Sequence, residues 1–186
     1  MAELETHTIT ALVEDKPGVL ARVAGMFSRR GFNISNLAVG HSEQDSLSRM
    51  TFVVEGGQQV VEQVTKQLYK LIDVVRVNDI SSESIVVREL ALIKVKSTAA
   101  TRPEIMQIVD IFRANIVNVS KEALIIEVTG DEDKVDALLQ LLRPFGVAET
   151  MRTGRVAMTR GGASTGAKRP AQPVPDHNAP DTDVVP

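Results

Sequence analysis

The chain has 186 residues, no cysteine, no tryptophan and a formal net charge of −3. That composition excludes disulfides, zinc–thiolate sites and thiol catalysis, and it leaves no basic footprint for nucleic acid or an anionic membrane. The first residues are polar (Glu3, Glu5, Thr6, His7), without the apolar core of a signal segment. No apolar run approaches the roughly 20 residues that span a bilayer, so a soluble cytoplasmic protein is expected.

Residues 6–13 are β-branched and apolar and read as a strand. A helix is predicted over 17–30, with Val19, Leu20, Val23, Met26 and Phe27 on one face. Pro17 would sit in its first turn and Gly31 just past its end. Strands follow over 34–40 and 47–54, separated by the polar loop 41–46. In the second of them Ser48, Met50, Phe52 and Val54 share a face. After Gly56-Gly57 a second helix carries Val60, Val61, Val64, Leu68 and Leu71 on one side, with Glu62 and Lys66 as an i,i+4 pair on the other. A strand over 74–80 closes the first half.

The second half repeats this order: a strand over 86–96, a helix over 103–114, strands over 115–120 and 123–129, a helix over 131–142, and one or two strands over 147–158. Asp131, Glu132 and Asp133 stand where acids stabilise a helix dipole, and the same explanation is preferred for Glu14 and Asp15. Two copies of one order, joined near 81–84, predict an α+β chain of two tandem ferredoxin-like βαββαβ sandwiches, over 6–81 and 85–160. Each would have a four-stranded antiparallel sheet with two helices on one face. The other face of each sheet must then be polar or find a partner. From 161 to 186 Ala, Gly, Ser, Thr and Pro dominate, and a disordered tail is expected.

Patterns that carry chemistry are few. His7, His41 and His177 form no ligand-spaced cluster, and no serine sits in a nucleophile elbow. Residues 161–168 have the glycine spacing of a phosphate loop, but Ala167 replaces its lysine and no helix follows. Arg30-Gly31-Phe32 starts like an RNA-binding signature that Asn33-Ile34-Ser35 does not continue, and the open sheet lacks stacking aromatics. No catalytic residue and no metal site is assigned.

One stretch, Asp15-Lys16-Pro17-Gly18-Val19-Leu20, points to a ligand. Gly18 lies at or near a helix N-terminus, where backbone N–H groups lack internal partners and the dipole is positive. A glycine lets a small anion approach that backbone. Asn33 offers an amide oxygen and an NH₂, and Asp15 a negative charge toward an ammonium. Val19, Leu20, Ile34 and Leu37 offer an apolar wall. These are the needs of a free amino acid. Spacing alone leaves a plain tight turn at Pro17-Gly18, and a turn at Asn33, equally open.

The run from Asp15 to Leu20, followed by Gly31-Phe32-Asn33-Ile34, is similar to the effector-binding signature of ACT domains, regulatory modules that bind amino acids. More narrowly, residues 17–37 (PGVLARVAGMFSRRGFNISNL) resemble the small regulatory subunits of acetolactate synthase, also called acetohydroxyacid synthase. So do Leu47-Ser48-Arg49-Met50-Thr51, residues 67–74 (QLYKLIDV) and residues 111–117 (IFRANIV), and the likeness runs over about residues 5–160.

The resemblance implies an effector-binding set of Asp15, Lys16, Pro17, Gly18, Val19, Leu20, Asn33 and Ile34. It implies an N-terminal ACT domain that pairs with a second copy, with valine between the Gly18 loop of one chain and the Asn33-Ile34 segment of the other. The C-terminal domain would help bind and activate a large catalytic subunit. Thiamine diphosphate, Mg²⁺ and FAD would belong to that partner and none to this chain, which would not itself be an enzyme. The partner condenses two pyruvates to acetolactate, or pyruvate with 2-oxobutyrate, the first shared step toward valine, leucine and isoleucine. A stand-alone ACT-domain amino-acid sensor is the alternative. An enzyme in its own right would need an acid–base or metal constellation that the sequence does not show.

Overall fold

Strict alternation along the first strand decides the layering of the N-terminal half. In β1 (Thr6–Glu14) the residues Ile9, Ala11 and Val13 are buried in the core, while Thr8, Thr10 and Leu12 point to the opposite face. The computed structural model describes residues 5–161. β1 is followed by α1 (Val19–Arg30), β2 (Ile34–His41), β3 (Leu47–Glu55), α2 (Gln58–Leu68) and β4 (Val74–Asp79). The strands form an antiparallel sheet in the order β2-β3-β1-β4. Both helices lay apolar stripes on one side of it: Val19, Val23, Met26 and Phe27 from α1, and Val61, Val64 and Leu68 from α2. Phe27 stacks on Phe52 with ring centroids 5.2 Å apart. Each such buried side chain contributes about 1.5–3 kcal/mol by leaving water. The Tyr69 hydroxyl donates to the Val77 carbonyl at 3.0 Å and accepts from the Val77 N–H at 3.2 Å, fastening the end of α2 to β4.

The second unit comprises β5 (Ile85–Lys96), α3 (Arg102–Ile111), β6 (Asn115–Val119), β7 (Ala123–Gly130), α4 (Glu132–Leu142), a 3-10 turn (Arg143–Phe145), β8 (Val147–Arg152) and β9 (Val156–Thr159). Its sheet runs β6-β7-β5-β8. A separate core of Ala91, Ile93, Val95, Ile105, Val109, Leu124, Ile126, Val128, Val135, Leu138 and Leu142 lies under its two helices. Asp131 caps α4 by accepting from the Lys134 N–H at 3.0 Å, with Glu132 and Asp133 in the first turn; a cap of this kind is worth about 1 kcal/mol.

The α+β architecture of two βαββαβ units is therefore present, with four local differences from the sequence reading. First, α1 begins at Val19: Gly18 is its N-cap at φ +86° and Pro17 lies in the preceding turn, because a left-handed Gly18 cannot continue a right-handed helix backward. Second, α2 stops at Leu68, and Leu71 reaches the core from the turn beyond it. Third, Leu20 leaves the α1 stripe and is 46% exposed.

Fourth, of the one or two strands expected over 147–158 there are two, and the second makes a fifth strand on a sheet expected to have four. β5 is 12 residues long and takes two partners in succession: β9 along Ile85–Arg88 and β8 along Ala91–Val95. The first sheet's open face finds its cover inside the chain. Thr8, Thr10 and Thr51, with Leu12 and Val53, are each at most 5% exposed, and Arg155, just ahead of β9, reaches across to it. On the second sheet Leu92 and Met151, opposite one another across β5 and β8, remain exposed. The tail expected from residue 161 onward falls, beyond Gly161, outside the described residues.

Candidate functional site

The loop between β1 and α1 is clamped from both sides. The Glu14 N–H donates to the Asp73 carbonyl and the Asp15 N–H to the Ser46 carbonyl, each at 2.8 Å. The chain then turns through Pro17 and Gly18 into α1, which has no side-chain cap and no acid in its first turn. The Val19 N–H turns back to the Lys16 carbonyl at 3.3 Å and the Arg22 N–H to the Gly18 carbonyl at 2.9 Å. By helix geometry the N–H groups of Leu20 and Ala21 between them have no acceptor within the helix, and they stand at a positive dipole end.

The acids near this loop do something other than complement the dipole. The Glu14 carboxylate takes the Lys16 ammonium at 2.7 Å, and the Asp15 carboxylate lies 3.1 Å from His41 Nδ1. Because the helix starts only after Gly18, neither acid reaches its first turn. The hydrogen bond and charge of Glu14 raise the Lys16 pKa above its ordinary 10.5, so this side chain stays a cation at neutral pH. Val19 is a core residue, 3% exposed, and Ile34 and Leu37 pack partly buried against the same core. Of the expected apolar wall, only Leu20 stands out in solvent.

Sequence reasoning passed over Arg22. Its Nε donates to Asp73 Oδ2 at 2.6 Å, and Asp73 is buried. A Cβ added to Gly18 would lie 3.1 Å from Arg22 Nη1, so the guanidinium covers the glycine. The signal was available: Gly18 and Arg22 are one helical turn apart.

Asn33 donates from Nδ2 to Glu55 Oε2 at 3.2 Å on the surface. It does not meet the Gly18 loop within one chain. At the loop end of the sheet Glu14 faces Leu47 and His41 faces Ser48; at the other end His7 and Ile34 both face Val54. α1, about 18 Å long for its 12 residues, runs between the two ends. The two groups of candidate residues thus occupy opposite ends of the same sheet.

Between the two units lies a cleft of about 490 Å³, lined among others by Val39, Val86, Val156 and Met158, with Arg49 and Arg88 at it. Among the described residues no group of three or more His, Cys, Asp or Glu could hold a metal ion, and no helix is long and apolar enough to cross a membrane.

A glycine-capped helix on the first βαββαβ unit, followed by a second such unit, defines a two-domain chain of the ACT type. Comparison with known proteins narrows this. A family model described as "AHAS small subunit-like ACT domain" matches residues 9–76, and one described as "Small subunit of acetolactate synthase" matches residues 88–161. The chain is 61% identical over 155 residues to the "Probable acetolactate synthase small subunit" of Archaeoglobus fulgidus, covering 83% of this chain and 97% of that one. It is 52% identical over 169 residues to the "Acetolactate synthase small subunit" of Mycobacterium leprae, covering 91% and 100%. The crystal structure of the Thermotoga maritima acetolactate synthase small subunit superposes with a TM-score of 0.81 at 45% identity, over 86% of this chain and 100% of that one. The chain belongs to the acetolactate synthase small subunit family; by family it is a regulatory subunit, and the family implies association with a catalytic subunit.

Proposed function

We propose that this chain activates the thiamine-diphosphate-dependent catalytic subunit of acetolactate synthase in the cytoplasm and confers feedback inhibition by valine on branched-chain amino acid synthesis. The observation that carries this reading is the separation of the candidate residues. The Gly18 loop and the Asn33-Ile34 segment sit at opposite ends of one sheet, so a ligand touching both needs a second ACT domain that brings its Asn33 end to this one's Gly18 end. A homodimer with valine at its interface meets that demand. The helix N–H groups beyond Gly18 would take the carboxylate. Asn33 from the second copy would supply the amide, and Asp15, with His41 beside it, the negative charge toward the ammonium. Thiamine diphosphate, Mg²⁺ and FAD belong to the catalytic partner.

Valine acts by binding one arrangement of the regulatory dimer better than another; such coupling is typically about 1–3 kcal/mol. An interfacial ligand also tightens the dimer by mass action. Selection among valine, leucine and isoleucine is shallow, since one methylene is worth only about 1–3 kcal/mol. The test is acetolactate formation from pyruvate by the catalytic subunit alone, with this chain, and with this chain plus valine. A rise on addition and a fall with valine are expected. No change on addition would overturn the reading in favour of a stand-alone amino-acid sensor.

A further inference from the structure

We propose that the turn Thr153-Gly154-Arg155 is the joint through which effector occupancy in the first domain reaches the second. The proposal rests on the reading of Asn33-Ile34 as an effector segment. That segment runs directly into β2, and Asn36 follows two residues after Ile34. Pairing with β3 shifts register between Ile34 and Asn36, so the ladder is interrupted where a displacement would have to pass. Asn36 Oδ1 accepts the Arg155 backbone N–H at 2.8 Å, across 119 residues of sequence. Gly154 makes the approach possible: at φ +83°, a Cβ on it would stand 2.7 Å from that same oxygen.

The far side of the turn is held just as firmly. The Arg155 guanidinium lies 3.4 Å from Thr8 Oγ1 on β1 and donates to Glu132 at 2.8 Å, at the start of α4. One helical turn further on, Asp136 accepts from Arg152 at 2.6 Å, and Arg152 also holds buried Glu89 on β5. A movement of β2 is therefore passed to α4 through one hydrogen bond and two ion pairs. The cleft beside the joint, between β2 and β9, leaves room for the domains to tilt once the Asn36 bond opens. The bistable element is this contact, made or broken.

The test uses the full chain reconstituted with its catalytic subunit, with valine binding read by calorimetry and inhibition by acetolactate formation. Asn36→Ala removes the acceptor, Asn36→Asp keeps it, and Gly154→Ala forces the side chain away. For Asn36→Ala and Gly154→Ala, valine affinity is expected to stay within about twofold of wild type while maximal inhibition falls by about half or more; Asn36→Asp retains inhibition. Unchanged inhibition in both variants, at an unchanged midpoint, overturns the joint. So does loss of valine binding together with thermal stability, which would make Asn36 merely structural. The wild-type control separates the two levels: if it binds no valine, the effector site itself is wrong and the joint falls with it.

Discussion

Glu89 on β5 accepts two hydrogen bonds from the Arg152 guanidinium on β8, on the helix-facing side of the second sheet. Glu89 is only 5% exposed, and Arg152 also holds Asp136. Burial works against the Arg152 charge, but the hydrogen bonds it donates to Glu89 and Asp136, with their negative charges, outweigh it and raise its pKa. Removing one partner of a buried pair strands the other, at a cost of about 3–5 kcal/mol when both are fully desolvated. Because Arg152 is partly exposed and keeps Asp136, Glu89→Gln should destabilise by about 2 kcal/mol. Urea unfolding checks this, and an unchanged midpoint would refute it.

The architecture was legible because it rests on local periodicity. The α1 and α2 stripes, the alternation in β1 and β3, and the repeat of one element order all appear within short windows. What escaped depends on distant contacts. The clamping of the loop ahead of α1 by the Ser46 and Asp73 carbonyls is one such contact, neither residue being near that loop in sequence. A second strand within 147–158 was allowed for, but its pairing with β5, beyond the stretch that β8 takes, is a long-range contact that no local pattern announces. The opposite placement of Gly18 and Asn33, by contrast, was legible, since the helix predicted over 17–30 stands between them.

Gly18→Asp should abolish valine inhibition. The left-handed φ of +86° strains any side chain there, by about 1–3 kcal/mol. The new carboxylate would lie against Arg22 and fill the place of the ligand's own. Acetolactate formation across a valine titration is the measurement; inhibition at the wild-type midpoint would sink the proposed loop.

Asn33→Ala should raise the valine midpoint about tenfold, the loss of one to two kcal/mol of hydrogen bonding. Its bond to Glu55 is on the surface, so stability should change by no more than about 0.5 kcal/mol. Activation of the catalytic subunit should persist. Loss of activation alongside valine sensitivity would point to a damaged fold instead.

Acid should loosen the β2–β3 hairpin through Glu43. Its carboxylate accepts from its own backbone N–H and from Arg49, which holds its pKa below the ordinary 4.5. A carboxylate held low in the folded state stabilises at pH above its unfolded value, and that contribution is lost as pH falls through the folded one. Glu43→Gln should therefore lower thermal stability near neutrality, with the difference from wild type closing in acid. A difference that stays constant with pH would show the loss to be steric.

Neither core draws a residue from β9, whose Val156 and Met158 remain exposed. The last described strand is thus joinery, not masonry. A chain stopped after Arg152 would keep both cores whole and lose the Arg155 contacts that fasten one unit to the other. The two units would then meet only through the linker and the cleft that β5 shares with β2 and β3, a slack hinge in place of a pinned one.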